Sequence, residues 1–168
     1  MTEFCYLDKQ EKEKWLPRLF DLLYENMSVI APSEKSYDED KSEWMGEVLP
    51  ALDKAPRQII MAFVDGKLAG YVQYYTRGEL LMIEEVQLER AYHKTRLFYR
   101  LCRHLSSALP CGIEHVEAYA HKTNENSRSI MKNLGMWEIE EESNSSFPKL
   151  VHLRGNAAEI MNKKLSRH

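Results

Sequence analysis

Apolar side chains recur along this chain with two periods, one that of a helix and one that of a strand. Residues 10–27 place Trp15, Leu16, Leu19, Phe20, Leu22, Leu23 and Met27 on one wide stripe, the pattern of a helix that buries one side. Pro17 fits that helix only near its first turn. Residues 42–52 repeat the pattern with Trp44, Met45, Val48 and Leu49 until Ala55 and Pro56 break it. Ahead of both, residues 4–7 read as a short first strand. Residues 58–64 are an apolar strand, Asp65-Gly66 is a two-residue hairpin signal, and residues 67–76 return. Gly70 within the return marks a close approach or a bulge. Arg77-Gly78-Glu79 then turns into a third strand over 80–88.

The second half alternates the two periods. Leu97, Leu101 and Leu105 are spaced by four, with Phe98 and Cys102 beside them, so a helix spans about 95–108 and stops at Pro110-Cys111-Gly112. A strand over 113–120 follows, and strand–helix–strand order favours parallel pairing. Thr123 or Asn124 can cap the next helix, Ile130, Met131 and Leu134 form its buried stripe, and Gly135 suits its left-handed end. Strands at 136–142 and 147–153 flank a polar loop at 143–146 and predict an antiparallel hairpin. Residues 156–165 carry a last helical pattern. There is no internal repeat and no low-complexity segment.

Composition narrows the class. At 168 residues the chain supports one domain with a full core and not two. Its expected parts are an N-terminal region over 1–56, a core over 57–142 and a C-terminal strand and helix over 143–168. No apolar run approaches the roughly 20 residues of a membrane helix, and the first residues lack the features of a signal peptide. Three cysteines, an odd number without metal-ligand spacing, read as reduced packing thiols in a cytoplasm. The histidines show no metal spacing either, so no metal is expected. A net charge of −3 excludes a general nucleic-acid binder. The distribution says more. No acidic residue lies between Arg90 and Ile113, where Arg90, Lys94, Arg96, Arg100 and Arg103 gather, whereas Glu34, Asp38, Glu39, Asp40, Glu43 and Glu47 crowd one earlier stretch. An RNA surface at 93–104 is the weaker reading, because Leu97 and Phe98 are better explained as core.

Hairpin, strand, helix, strand, helix and strand, with the spacing from Asn124 to Leu134-Gly135, resemble the core of the GNAT N-acetyltransferases. The resemblance implies an α/β fold (α+β in some schemes). Its sheet is mixed, mostly antiparallel and twisted, of about six to seven strands flanked by helices. It also implies direct attack by a small amine on the thioester of acetyl-CoA. In the family, an Arg/Gln-x-x-Gly-x-Gly/Ala loop opens the helix after the third core strand. Matched by position, His93 stands for the Arg/Gln, Arg96 for the first glycine and Phe98 for the second, so none of the usual residues is kept. By this resemblance the pyrophosphate loop is His93, Lys94, Thr95, Arg96, Leu97 and Phe98. Outward amides and the charges of Lys94 and Arg96 do the binding.

Val86 and Leu88 are the implied backbone partners of the cofactor. Glu84 and Glu85 are the implied bases, with strand alternation sending them to opposite faces so that only one enters the cleft. Asn124 and Ser127 match residues that contact the pantetheine or cap the helix. The family's tyrosine acid falls at Met131, and Tyr92, Tyr99 and Tyr119 match no such position. The acidic stretch lies on the acceptor side and favours a cationic acceptor such as a polyamine, an aminoglycoside or a basic peptide terminus. No nucleic acid or membrane partner is implied, and a homodimer stays open. The alternative is a non-catalytic GNAT-like binding or regulatory domain, favoured by the lost glycines and tyrosine.

Overall fold

Asp65 and Gly66 both adopt positive φ, 49° and 76°, the conformation of a tight hairpin turn. They join β2 (Gln58–Val64) to β3 (Lys67–Arg77), and β4 (Leu80–Leu88) pairs antiparallel with β3. β1 (Thr2–Tyr6) pairs with β2, and β5 (His115–His121) runs parallel to β4. β7 (Leu150–Asn156) lies between β5 and β6 (Trp137–Ile139), antiparallel to both. The computed structural model describes residues 1–54, 56–139 and 148–164. Among these, seven strands form one mostly antiparallel sheet in the order β1-β2-β3-β4-β5-β7-β6.

Two helices cover one face of the sheet. α1 (Lys12–Ile30) and α2 (Tyr37–Lys54) bury Leu16, Leu19, Leu22, Val48 and Leu52 against Ile59, Met61 and Tyr71. On the other face, α3 (Leu97–Ser107) and α4 (Glu125–Asn133) pack near Val72, Leu81, Val116 and Leu153, with Leu101 and Leu105 fully or almost fully enclosed. The face of each helix follows from its four-residue apolar spacing.

Several boundaries differ from the sequence reading. α2 begins five residues before the expected 42, because Ser36 and Glu39 form a capping box: Glu39 Oε2 accepts from the Ser36 amide at 2.8 Å and Ser36 Oγ from the Glu39 amide at 3.3 Å. The first turn of α2 is polar and gives no apolar period. β7 runs through Arg154-Gly155 to Asn156, where a helical segment was expected to begin. A Cβ on Gly155 would come within 2.6 Å of Ile160 Cδ1 and 3.0 Å of Met136 Cγ, so a bare backbone lets the strand pass there. The terminal segment is then a π-helical turn, Glu159–Lys164. The expected strand over 136–142 is seen as Trp137–Ile139. Its residues 140–142 and the loop at 143–146 lie outside the described residues. Of the cysteines only Cys102 is a packing thiol, its pKa pushed up to about 12 by burial; Cys5 and Cys111 are exposed. No helix among the described residues is long and apolar enough to cross a membrane.

Candidate active site

The site begins with one extra residue in β4. Gln73 lies opposite Glu85 and Tyr74 opposite Ile83, so Glu84 has no partner on β3 and forms a β-bulge. Before the bulge, Ile83 faces the α3–α4 core with Leu81. The extra residue resets the alternation. Glu84 and Glu85 therefore both point to the α1–α2 face, while Val86 and Leu88 return to the core beside Val72. The expectation that the two glutamates face opposite ways is corrected by this bulge.

The bulge also marks a split in the sheet. β4 pairs with β5 only from Leu80 to Ile83. Beyond it, the Glu89 amide donates to Ala69 O at 2.9 Å on β3. Alternation along the ladder then turns the amides of Val86 and Leu88 away from β3, toward the gap between β4 and β5. Gly70 sits across from Leu88, where a Cβ would collide with the Leu88 side chain and meet Gln87 O at 2.5 Å. The close approach that its sequence position suggests holds the end of β4 against β3.

Each glutamate has its own partners. Arg57 donates from Nε and Nη2 to both oxygens of Glu84, and Gln73 Nε2 donates to Glu84 Oε2 at 3.2 Å. Glu85 meets neutral donors instead: Trp44 Nε1–H at 2.9 Å on Oε1 and the Tyr71 hydroxyl at 2.6 Å on Oε2. Burial pushes the Glu85 carboxyl above its ordinary value, against the opposing pull of Tyr71 and Trp44. Tyr71 is raised in turn by its own burial and by Glu85, which keeps its hydroxyl a donor. Glu84 is thus tied to a cation, and Glu85 is a carboxylate whose proton affinity is raised.

The loop after β4 is a short 3₁₀ turn, Arg90–Tyr92, leading into α3. His93 folds back so that Nε2 lies 2.8 Å from Leu88 O. A carbonyl only accepts, so that nitrogen carries the proton. Asn26, buried on α1, donates to the same carbonyl at 3.0 Å and to Gln87 Oε1 at 3.1 Å. Two of the expected outward amides are used within the loop: Thr95 N–H donates to Tyr92 O at 3.1 Å, and Leu97 N–H to Thr95 Oγ1 at 3.2 Å. The amides of Lys94, Arg96 and Phe98 have no partner among the described residues. The Lys94 and Arg96 side chains are exposed and have no carboxylate partner there. Leu97 is buried in the core, and Phe98 is half-buried and packs against it.

At α4, Asn124 Oδ1 accepts the Ser127 amide at 3.0 Å, so both residues form the helix cap. Met131, in the position of the family's tyrosine, packs against the core. Part of the acidic stretch serves α2 locally: Glu39 closes the capping box, Asp40 accepts from Ser33 Oγ at 2.9 Å, and Glu43 pairs with Lys35 at 2.5 Å.

Open amides on β4, three unpartnered loop amides and two unpaired cations suit a ligand with amides at one end and a pyrophosphate at the other. Several residues that build the site escape the sequence reading. Trp44 and Tyr71 show there only as apolar positions. Asn26 was not singled out, though an amide among the apolar residues of that stripe is the signal that could have found it. Arg57 and Gln73 carry no sequence signal beyond their polarity.

Solved structures share this fold. The PaiA N-acetyltransferase of Thermoplasma acidophilum, solved in complex with coenzyme A, superposes with a TM-score of 0.71 at 14% identity, covering 93% of this chain and 99% of that one. An acetyltransferase from Thermus thermophilus gives 0.70 at 13% identity, covering 93% and 97%. The ribosomal-protein-S18-alanine N-acetyltransferase of Escherichia coli gives 0.62 at 15% identity, covering 94% of each chain. No curated protein sequence matches the chain. The family model described as the acetyltransferase (GNAT) family matches residues 16–136. The chain belongs to that family, whose co-substrate is acetyl-CoA.

Proposed function

We propose that this protein moves an acetyl group from acetyl-CoA to the amine of a small acceptor by direct attack, with Glu85 taking the amine's proton. The observation that carries the reading is the bulge at Glu84, which aims two carboxylates at one face where β4 leaves β5. An alkyl amine arrives as its ammonium cation, and Glu85, whose carboxylate has no ion-pair partner among the described residues, favours that cation. Attack needs the free amine, so a base must act first. Glu85 suits the role: its partners are neutral donors, each oxygen keeps a lone pair free, and its carboxyl is raised by burial. Glu84, neutralised by Arg57, holds the neighbouring charge in place.

Acetyl-CoA supplies the thioester carbonyl on which the amine closes. The C–N bond forms, the C–S bond breaks, and the second proton of the attacking nitrogen passes to the departing sulfur, so that CoA leaves as its thiol. The Val86 and Leu88 amides, set toward the split, would hold the pantetheine and the carbonyl oxygen where charge develops. Lys94, Arg96 and the Phe98 amide would hold the pyrophosphate. His93, Thr95 and Leu97 support that loop from within: His93 ties it to the end of β4, and Thr95 caps Leu97. Asn124 and Ser127 fix the start of α4 beside the cleft. No residue is assigned as acid to the sulfur. The cationic character first read from the acidic stretch belongs, on this account, to the amine itself.

Thiol release from acetyl-CoA, measured over a panel of small amines, tests the reading with Glu85→Gln beside the wild type. The expected result is turnover in the wild type and a loss of roughly 10²–10⁴-fold in kcat in the variant, with acetyl-CoA affinity retained. Full activity in Glu85→Gln would remove the residue from the proton path. Acetyl-CoA binding without turnover on any amine would favour the non-catalytic alternative.

A further inference from the structure

A second feature of the same face narrows the acceptor, on the footing that the acetyl transfer above is what the site does. A cavity of about 450 Å³, lined by Pro56, Arg57, Tyr75, Thr76, Arg77 and Glu84, opens beside the bulge. Its volume suits a small ligand, and Glu84 is its inner wall. Tyr71, Gln73, Tyr75 and Arg77 alternate along β3 and so share the α1–α2 face. Along that line the polar groups change sign. At the inner end stands Glu85, a carboxylate without an ion-pair partner among the described residues, beside Glu84 in its pair with Arg57. Next to Glu84, Gln73 is 4% exposed and its Oε1 has no hydrogen-bond partner among the described residues, so it lacks an N–H or O–H donor. The Tyr75 ring follows, with the Arg57 guanidinium 6.0 Å from its centre. At the outer end is Arg77, exposed and without a carboxylate partner among the described residues.

We propose that the acceptor carries a carboxylate as well as its amine, and that Arg77 reads that carboxylate from the mouth of this cavity. Arg57 cannot do so, because Glu84 already matches its charge. The complement of an acidic inner end and a basic outer end is a zwitterion with its ammonium inward. Arg77 lies four positions after Gln73, about 13 Å of strand. The amine and the carboxylate must therefore lie several bonds apart, as in an ω-amino acid or the side chain of free lysine. A polyamine or an aminoglycoside would set a second cation against Arg77.

The test uses the full chain, acetyl-CoA and two matched series: ω-amino carboxylates of increasing chain length with their carboxamides, and L-lysine with L-lysinamide. Thiol release gives kcat/KM, and acetyl-CoA binding is titrated separately. The expected result is a preference of about tenfold or more for the best carboxylate over its amide, as for one charge-assisted contact. Arg77→Ala brings that ratio toward one, Arg77→Glu inverts it and Arg77→Lys keeps part of it. A ratio near one in the wild type, or one that Arg77→Ala leaves intact, overturns the proposal. So does turnover confined to amines that lack a carboxylate. Failure of acetyl-CoA to bind would instead overturn the transfer reading beneath it.

Discussion

Glu85 and Glu84 are neighbours in the chain, yet they differ in what answers their charge. Glu84 faces a guanidinium, whereas Glu85 faces an indole N–H and a phenol. A neutral donor stabilises a carboxylate less than a cation does, so burial prevails at Glu85 and its proton affinity rises. A base must be deprotonated to act, so kcat/KM should rise with pH through the raised Glu85 pKa. The Tyr71 hydroxyl favours the charged form, and its removal should raise that pKa further. Tyr71→Phe is therefore expected to move the acidic limb of the pH–rate profile to higher pH, while a Glu85→Gln background should show no such limb. A limb that stays in place in Tyr71→Phe would show that another group sets it. None of this was visible in the sequence, where Trp44 and Tyr71 count as apolar positions and their polar edges have no periodicity.

At the scale of the element, β4 does two tasks that its sequence only half declares. Its existence, its neighbours and its parallel partner were all legible, because Asp65-Gly66 fixes a hairpin and the apolar periods switch cleanly between two and four. The bulge was not legible. Glu84 and Glu85 are an ordinary polar pair in a strand, and no glycine or proline marks the extra residue; only the register with Gln73 and Tyr74 reveals it. The start of α2 was missed for a similar reason, since its first turn is built by a capping box rather than by apolar residues. Gly70 was legible as a special position, and the structure supplies the reason in Gln87 O and Leu88. A methyl group there must push β4 away from β3. Gly70→Ala should cost about 1–3 kcal/mol, as overpacking does, and should weaken acetyl-CoA binding because the displaced segment carries the Val86 and Leu88 amides. A denaturation midpoint and a ligand titration on the same variant check both. Loss of stability with unchanged affinity would separate the end of β4 from the cofactor.

Across the whole molecule, the two halves of the sheet are joined where Leu80–Ile83 of β4 pair with β5, with Glu117 opposite Met82. Glu117 is buried there, bonded to His152 Nε2 at 2.9 Å and to Arg154. Burial opposes its charge, but Arg154 and His152 prevail and hold the carboxyl below its ordinary value of 4.5. The folded state therefore binds that proton less readily than the unfolded chain. The stability this contributes is present above the ordinary value and is lost as pH falls through the lowered one. Denaturation midpoints followed into acid should drop in the wild type and drop less steeply in Glu117→Gln. Equal slopes would place the acid sensitivity elsewhere.

Every step of the proposed transfer requires that this sheet, with Arg96 and Phe98 where the family keeps glycines, holds acetyl-CoA. Calorimetric titration of the purified protein with acetyl-CoA, beside the variant Lys94→Ala/Arg96→Ala, asks this directly. Micromolar binding is expected, with a stoichiometry of one per chain. Each charge-assisted phosphate contact contributes on the order of 1.5–3 kcal/mol, so the double variant should bind at least tenfold more weakly and with a shallower dependence on salt. No heat with millimolar ligand would contradict the account, as would equal affinity in the double variant.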